Sequence, residues 1–405
     1  MAAIVLYFHV HQPYRIKNYS FFDIGQDRDY FSASEDRLNN QKILSKVADK
    51  SYLPFNNLLI ELLEKHPQLK VSFSISGVAL DQFAAYRPDV LNTFKQLVKT
   101  GRVELVNETY YHSLSFLFSP DEFHRQIAKH RQALKSLFDY DTTSFRNTEL
   151  IYSNDIAKEA EKEGFKVILA EGVERYLGWR SPNFVYRPPH DGNIKLLLKN
   201  YKLSDDIAFR FSNRGWSEWP LTAEKYGQWI NSVNGNGHVV NLFMDYETFG
   251  EHQWADTGIF DFMREFPNQV LSHPDNTFMT VTEASQAFPV SDVVDMPQLT
   301  SWADLERDLS AWRSNPMQEA ALTTLYSMEK DVFASGDDTL IEDWRRLSTS
   351  DHFYYMCTKW FSDGDVHKYF SPNNTPYEAY INFMNILHDI RLRVYANRER
   401  RFSHG

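Results

Sequence analysis

The sequence predicts an α/β fold, a parallel (β/α) barrel with a helical bundle after it, on three observations. Short β-branched runs alternate with longer amphipathic stretches through the first two-thirds of the chain. No glycine-rich phosphate turn follows the first apolar run, where an open doubly wound sheet carries one. Beyond about residue 290 the strand pattern stops and helical spacing takes over. Taken in order, strands are predicted at residues 4–10, 70–75, 102–106, 143–147, 166–170, 206–211 and 239–244. Apolar residues at three- and four-residue spacing predict helices between them at 43–65, 89–99, 121–138 and 154–163. Pro88 and Pro120 stand near helix starts, where a missing N–H costs little, and Gly101 and Gly164 follow helix ends. Asn234-Gly235-Asn236-Gly237 is a turn ahead of the last strand. Helices are predicted at 302–312, 316–333, 340–360 and 376–398, with 362–375 as the loop joining the last two. The expected division is a barrel over 1–290 and a helical domain over 291–405 that completes the cleft.

Composition narrows the class of function. The chain has 405 residues, 42% apolar and 24% charged, which is ordinary for a folded globular protein. A net charge of −11 without a basic cluster argues against nucleic acid, because phosphate binding needs Lys and Arg gathered on one face. The run from Arg398 to Arg401 reads as a solvated helix end. With Cys357 the only cysteine, neither an intrachain disulfide nor a cysteine-based zinc site can form, which fits a reducing compartment. The opening run Ala3-Ile4-Val5-Leu6-Tyr7-Phe8 lacks a basic flank and is too short to span a bilayer, so it reads as the first strand of a cytoplasmic protein with no membrane partner. The N-x-S/T triplets at Asn18, Asn107 and Asn373 are expected to be unmodified. Nothing in the sequence sets the oligomeric state.

Two acids stand where an apolar strand runs out into a loop. Glu149 lies in Phe145-Arg146-Asn147-Thr148-Glu149-Leu150, and Asp245 in Met244-Asp245-Tyr246-Glu247-Thr248-Phe249-Gly250. Active sites on barrel folds are built at the carboxyl ends of the strands. Two carboxylates meeting there are what glycosidic-bond cleavage requires: one protonates the leaving oxygen, and the other attacks the anomeric carbon or activates a water. The structural alternatives are a pair between Glu149 and Arg146, and an N-cap or loop salt bridge for Asp245. His9 and His11, two apart on a strand, share one face and admit three readings: metal ligands with His112 or Asp245, a structural pair, or contacts to sugar hydroxyls. Aromatic residues make up 15% of the chain, and clusters such as Tyr110-Tyr111-His112 and Trp216 to Trp219 suit the apolar faces and hydroxyl rims of sugar rings.

Together these motifs resemble glycoside hydrolase family 57, the α-amylase and 4-α-glucanotransferase family. Five short regions in fixed order mark that family, and each has a counterpart here. They are His11-Gln12-Pro13; Gly101-Arg102-Val103-Glu104-Leu105 through Tyr110-Tyr111-His112; Phe145 to Tyr152; Asp245 to His252; and Ser301-Trp302-Ala303-Asp304 through Trp312. The match spans most of the chain and is nearest to the amylase-like members of about this length.

The resemblance implies an incomplete, seven-stranded (β/α) barrel followed by a helical region, chemistry without metal or cofactor, and retention of anomeric configuration. By position, Glu149 matches the nucleophile and Asp245 the general acid/base, while His11, His112 and Glu247 match residues lining the sites nearest the scissile bond. Trp302 belongs to the fifth region, and His252 falls where some members carry a tryptophan. The implied substrate is an α-1,4-glucan or maltooligosaccharide, cleaved by an α-amylase-type hydrolase. A sugar acceptor in place of water would make a 4-α-glucanotransferase or a branching enzyme. For this chemistry Glu149 must stay ionised, about 5–5.5 Å from Asp245, and Asp245 must hold a proton, lifted by a shielded site and by the charges of Glu149 and Glu247. Two rival readings are a metal-dependent sugar hydrolase or deacetylase built on His9, His11 and an acid, and a catalytically silent glucan-binding protein.

Overall fold

A computed structural model describes residues 2–359 and 366–402. Its strands are β1 (Ala2–Val10), β2 (Val71–Ile75), β3 (Val103–Leu105), β4 (Ser144–Arg146), β5 (Val167–Glu171), β6 (Val185–Arg187), β7 (Lys195–Lys199), β8 (Val239–Asp245), β9 (Asn276–Phe278) and β10 (Asp292–Val293). They form two sheets. One is parallel, in the order β3-β2-β1-β8, with β9 paired to the start of β1. The other runs β10-β6-β7-β5-β4 and is parallel except where β6 meets β7. A parallel bridge between Asn107 and Phe145 joins the β3 edge of the first sheet to the β4 edge of the second. At the opposite flank, the N–H of Asn200 donates to the Asn241 carbonyl at 2.9 Å. Among the described residues no sheet closes on itself, so the two sheets show the expected α/β architecture without a closed barrel.

Period-two alternation gives β1 two faces. Ile4, Leu6, Phe8 and Val10 pack outward against helices, while Ala3, Val5 and Tyr7 meet Val167, Leu169, Val239 and Phe243 between the sheets. The helices beside the first sheet are α1 (Asn40–Val47), α2 (Leu53–Lys65), α3 (Gly77–Tyr86) and α4 (Pro88–Lys99). Each buried Leu, Ile or Phe of this layer contributes about 1.5–3 kcal/mol relative to an exposed one. Residues 43–65, expected as one helix, are split by a π-helical turn at Ala48–Tyr52, a device common at functional sites. Next come α5 (Pro120–Phe138), α6 (Asn154–Lys162), α7 (Glu174–Leu177), α8 (Tyr201–Ala208), α9 (Ala223–Asn231), α10 (Ile259–Leu271) and α11 (Val281–Ala287). No described helix is long and apolar enough to cross a membrane.

Residues 206–211, expected as a strand, instead end α8 and turn away, and the strand lies earlier at Lys195–Lys199. The cause is local capping: the Asn200 side chain accepts from the Leu203 N–H at 3.1 Å and starts a helix where β-branched character alone suggested a strand.

The C-terminal region is helical as expected, with α12 (Pro316–Ser327), α13 (Glu329–Ser335), α14 (Asp338–Leu347), α15 (Ser350–Tyr354), α16 (Val366–Phe370) and α17 (Pro376–Phe402). Three expectations are corrected. Residues 302–312 are not helical but turn repeatedly, with Asp304 and Arg307 in left-handed backbone at φ +53° and +51°. Bonds within the segment override the helical spacing there: the Ser301 hydroxyl donates to the Asp308 carbonyl at 2.5 Å, and Arg307 donates to the Trp302 carbonyl. Residues 340–360 break between α14 and α15, and Trp360 lies outside the described residues. The expected 362–375 loop contains α16, and its residues 362–365 lie outside the described residues.

Candidate active site

β1 and β8 pair in register with His9 opposite Asp245. Alternation therefore sends both side chains to the space between the sheets, just past the apolar layer of Tyr7 and Phe243. His9 Nδ1 stands 3.6 Å from Asp245 Oδ1.

Glu149 reaches the same space from the turn after β4. Its backbone is left-handed, at φ +57°, as are those of Leu150 (+49°) and His112 (+51°). Such conformations cost about 1–3 kcal/mol each and persist only where surroundings over-determine them. Here the Thr109 and Thr148 hydroxyls, 2.7 Å apart, tie the two turns together. The Trp302 N–H donates to the Glu149 carbonyl at 3.2 Å, and the Ser350 N–H to the His112 carbonyl at 2.9 Å.

Three donors converge on the Glu149 carboxylate. Oε1 accepts from His112 Nε2 and from the Ser350 hydroxyl, both at 3.0 Å, and Oε2 accepts from Trp302 Nε1 at 2.8 Å. Burial opposes the charge, but bonding to His112, the His112 charge and the Trp302 N–H together hold Glu149 below the ordinary glutamate range. His112 is correspondingly pushed up to about 9, because its bonds to Glu108 and Glu149 outweigh burial. Arg146, the alternative partner weighed for Glu149, is fully buried and lies instead beside Glu108, with Nη1 3.6 Å from Oε2. Its guanidinium also faces the Trp302 ring at 5.3 Å, with Lys199 Nζ 5.6 Å from the same ring.

Asp245 departs from expectation. Its side chain is 41% exposed, and although burial pushes upward, bonding and charge from His9, helped by His252 and Arg146, keep its carboxyl below the usual aspartate range. The carboxyl that is lifted is Glu247, pushed up to about 8 by burial and by the Asp245 charge. Glu247 Oε1 accepts from the Tyr52 hydroxyl at the end of the π-helical turn, and from the His11 N–H at 3.3 Å. Sequence reasoning missed this inversion because it depends on which carboxylate His9 faces.

His11 is held by Ser76 Oγ at 2.7 Å on Nδ1 and by Asp351 Oδ2 at 3.0 Å on Nε2. Burial and the neighbouring His112 push it down to about 4, so it donates to Asp351 as a neutral ring. Its ring centroid lies 4.1 Å from that of His112, whose ring stacks in turn on His9 at 4.8 Å. Of the readings open for His9 and His11, a metal set holding both is not seen among the described residues: the clustered donors fall into two groups, His9 with Glu108 and His112, and His11 with His112 and Asp351. His252 packs edge-on to Phe370 at 5.5 Å and contributes charge to Asp245.

The structure thus gathers His11, His112, Glu149, Asp245, Glu247 and Trp302 in one place, with His252 at its border. Ser350 and Asp351 join them from α15, and Glu108 and Tyr52 from behind. Ser350 and Asp351 carried no signal in the sequence, whereas Glu108 was visible only as an acid four residues before His112. The aromatic clusters divide. Tyr110 and Tyr111 are buried, and Trp219 lines a separate cavity of about 430 Å³ with Phe211 and Phe262.

The chain is similar to several known proteins. The chain is 43% identical over 403 residues to a provisionally named α-amylase of Methanocaldococcus jannaschii, covering 96% of this chain and 84% of that protein. It is 20% identical over 284 residues to a 4-α-glucanotransferase of Thermococcus litoralis, covering 69% of this chain and 41% of that protein. In fold it matches the crystal structure of a branching enzyme from Thermococcus kodakaraensis with a TM-score of 0.68 at 13% identity, covering 91% of this chain and 87% of that one. The sequence model of glycosyl hydrolase family 57 matches residues 5–297, and the chain belongs to that family.

Proposed function

We propose that the protein is a retaining glycoside hydrolase of α-amylase type acting on α-1,4-linked glucans, with Glu149 as nucleophile and Asp245 as general acid/base. One observation carries the reading: an ionised carboxylate gripped by His112, Trp302 and Ser350 stands in the same inner space as a second, half-exposed carboxylate. The names of the relatives support the substrate class. In this reading β1 to β5, β7 and β8, drawn from both sheets, are the seven strands of an incomplete barrel over 1–290, and the helical domain over 291–405 closes one wall through Ser350 and Asp351. A cytoplasmic location and glucan or maltooligosaccharide turnover there complete the proposal.

Glu149 attacks C1 while the leaving oxygen takes a proton from Asp245, and a glycosyl-enzyme forms. Asp245 then removes a proton from the second acceptor. Of the Asp245–Glu247 pair, Glu247 is the carboxyl that holds the proton before a sugar binds. A sugar covering Asp245 strips its water and raises its proton affinity, so the proton passes to the carboxyl facing the glycosidic oxygen. His11, His112, Glu247 and His252 then serve as contacts to the sugars flanking the scissile bond.

A second reading, transfer to a sugar, draws on Trp254 and Phe370, respectively 58% and 39% exposed near His252, which offer apolar faces on the Asp245 side. A product time course on maltoheptaose, with and without glucose, separates the two. Shorter chains with new reducing ends are expected. Chains both shorter and longer, at constant reducing ends, would replace hydrolysis by transfer, and no change would overturn the α-glucan assignment.

A further inference from the structure

Behind the two carboxylates lies a third, Glu108, which the chemistry above does not use. It is fully buried, and its Oε2 lies 3.4 Å from His9 Nε2 and 3.1 Å from His112 Nδ1. The far nitrogens of those same rings face the reacting groups, His9 Nδ1 toward Asp245 at 3.6 Å and His112 Nε2 toward Glu149 at 3.0 Å. One oxygen atom thus stands at the centre of a chain running Asp245–His9–Glu108–His112–Glu149. Arg146 Nη1 fits among the same atoms, 3.3 Å from His9 Nε2, 3.5 Å from His112 Nδ1 and 3.6 Å from Glu108 Oε2.

The titratable and charged groups around Glu108 come from every side. Tyr7 and His9 approach from β1, Arg146 from β4, His130 from α5, and His112 from the turn that Glu108 itself begins. His130 Nδ1 accepts the Glu108 N–H at 3.3 Å, and its Nε2 meets the Ile75 carbonyl at 2.8 Å, which fixes its tautomer as a donor to Ile75. Burial would raise Glu108, yet the charges and bonds of His9, His112 and Arg146 carry it well below the ordinary range, so it is ionised. Taking a glutamate and an arginine out of water costs several kcal/mol per ion, and well-packed apolar replacements are often neutral or stabilising. Folding stability alone gives no reason for the pair.

We propose that Glu108 is a positioning residue that, balanced by Arg146, orients His9 and His112 together and thereby couples the charge on the nucleophile Glu149 to the charge on the acid/base Asp245. This rests on the roles assigned to those two carboxylates under the proposed function. The coupling follows from geometry. A ring nitrogen bonded to a carboxylate must carry the N–H, so Glu108 secures the proton on His112 Nδ1 and leaves Nε2–H to hold Glu149 ionised. When Asp245 gives up or regains its proton, the charge beside His9 changes, and Glu108 is the shared partner through which His112 responds.

The test uses the full chain with Glu108→Gln and the double variant Glu108→Gln/Arg146→Met, which removes both buried charges. It reads kcat and KM on maltoheptaose across pH, the melting temperature, and the titration of His112 by NMR of protein labelled with ¹⁵N-histidine, its signal identified by loss in His112→Asn. In Glu108→Gln, kcat is expected to fall at least about 100-fold with KM within threefold, and the acidic limb of the profile to move up as Glu149 loses its charged partner. His112 is expected to titrate well below the native value of about 9. The double variant is expected to melt at least as high as the native protein while kcat stays low. Native-like kcat in either folded variant would overturn the proposal, as would an unchanged His112 titration. The NMR reading needs no substrate. If the native protein left every α-glucan intact, the link from Glu108 to His112 would still be tested while the functional reading failed by itself.

Discussion

Glu149 follows a strand of one sheet, Asp245 ends a strand of the other, and the two are held in opposite ways. Glu149 sits in left-handed backbone, 19% exposed in its side chain, with three donors from three separate segments on its oxygens. Asp245 ends a regular strand, is 41% exposed, and has His9 as its near partner at 3.6 Å. An over-determined carboxylate keeps its charge and its place, which suits a nucleophile. A carboxylate held mainly by one long contact and open to water can change its protonation when a sugar covers it, which suits a group that gives and takes a proton. The division of labour is thus written in the surroundings, since the two side chains differ by one methylene.

The largest effect that can break this comparison comes from removing each carboxylate. Glu149→Ala is expected to lose turnover by about 10⁴-fold or more on every substrate. Asp245→Ala should lose a similar amount on maltoheptaose but much less on a maltoside with a 4-nitrophenol leaving group, which departs without a proton. Added azide should give an inverted glycosyl azide with the first variant and a retained one with the second, read by proton NMR of the anomeric centre. The opposite pairing would exchange the two roles.

A smaller effect tests whether the grip on Glu149 matters. Trp302→Phe removes one N–H and keeps a ring, and Ser350→Ala removes one hydroxyl. A hydrogen bond to a charged group is worth about 1.5–3 kcal/mol, so kcat is expected to fall about 10–100-fold in each, with KM little changed. A change under threefold in both would make the grip irrelevant to chemistry and leave the contrast with Asp245 without consequence.

The smallest effect is on stability. His112 holds its proton up to about 9 in the folded protein, against an ordinary value of 6.5. Between those values the folded chain keeps a proton that the unfolded chain has lost. The stabilisation is therefore full below pH 6.5 and disappears as pH rises through 9. Melting temperature is expected to decline across that window, and the decline to flatten in His112→Asn. An equal decline in both proteins would remove His112 as its source.

Most strands were legible from sequence because a strand of five to nine residues shows its buried faces locally, as β1 and β8 do. The exchange of 206–211 for Lys195–Lys199 shows where that stops: a short apolar run suits either element, and a side chain outside it, Asn200, decided. In the site, the acids and histidines at strand ends could be named from their positions and from the order of the family's regions. Their partners could not. Ser350 meets Glu149 across 201 residues, and Arg146 turned out to serve Glu108 and not its near neighbour Glu149. The sequence by itself determined which groups were available, a parallel α/β core and a helical C-terminal region, because periodicity and residue type are local properties. Only the tertiary structure decided which carboxylate keeps its charge and which keeps its proton. Proton affinity depends on water exclusion and on charges a few ångströms away, and in this chain those are brought together from segments hundreds of residues apart.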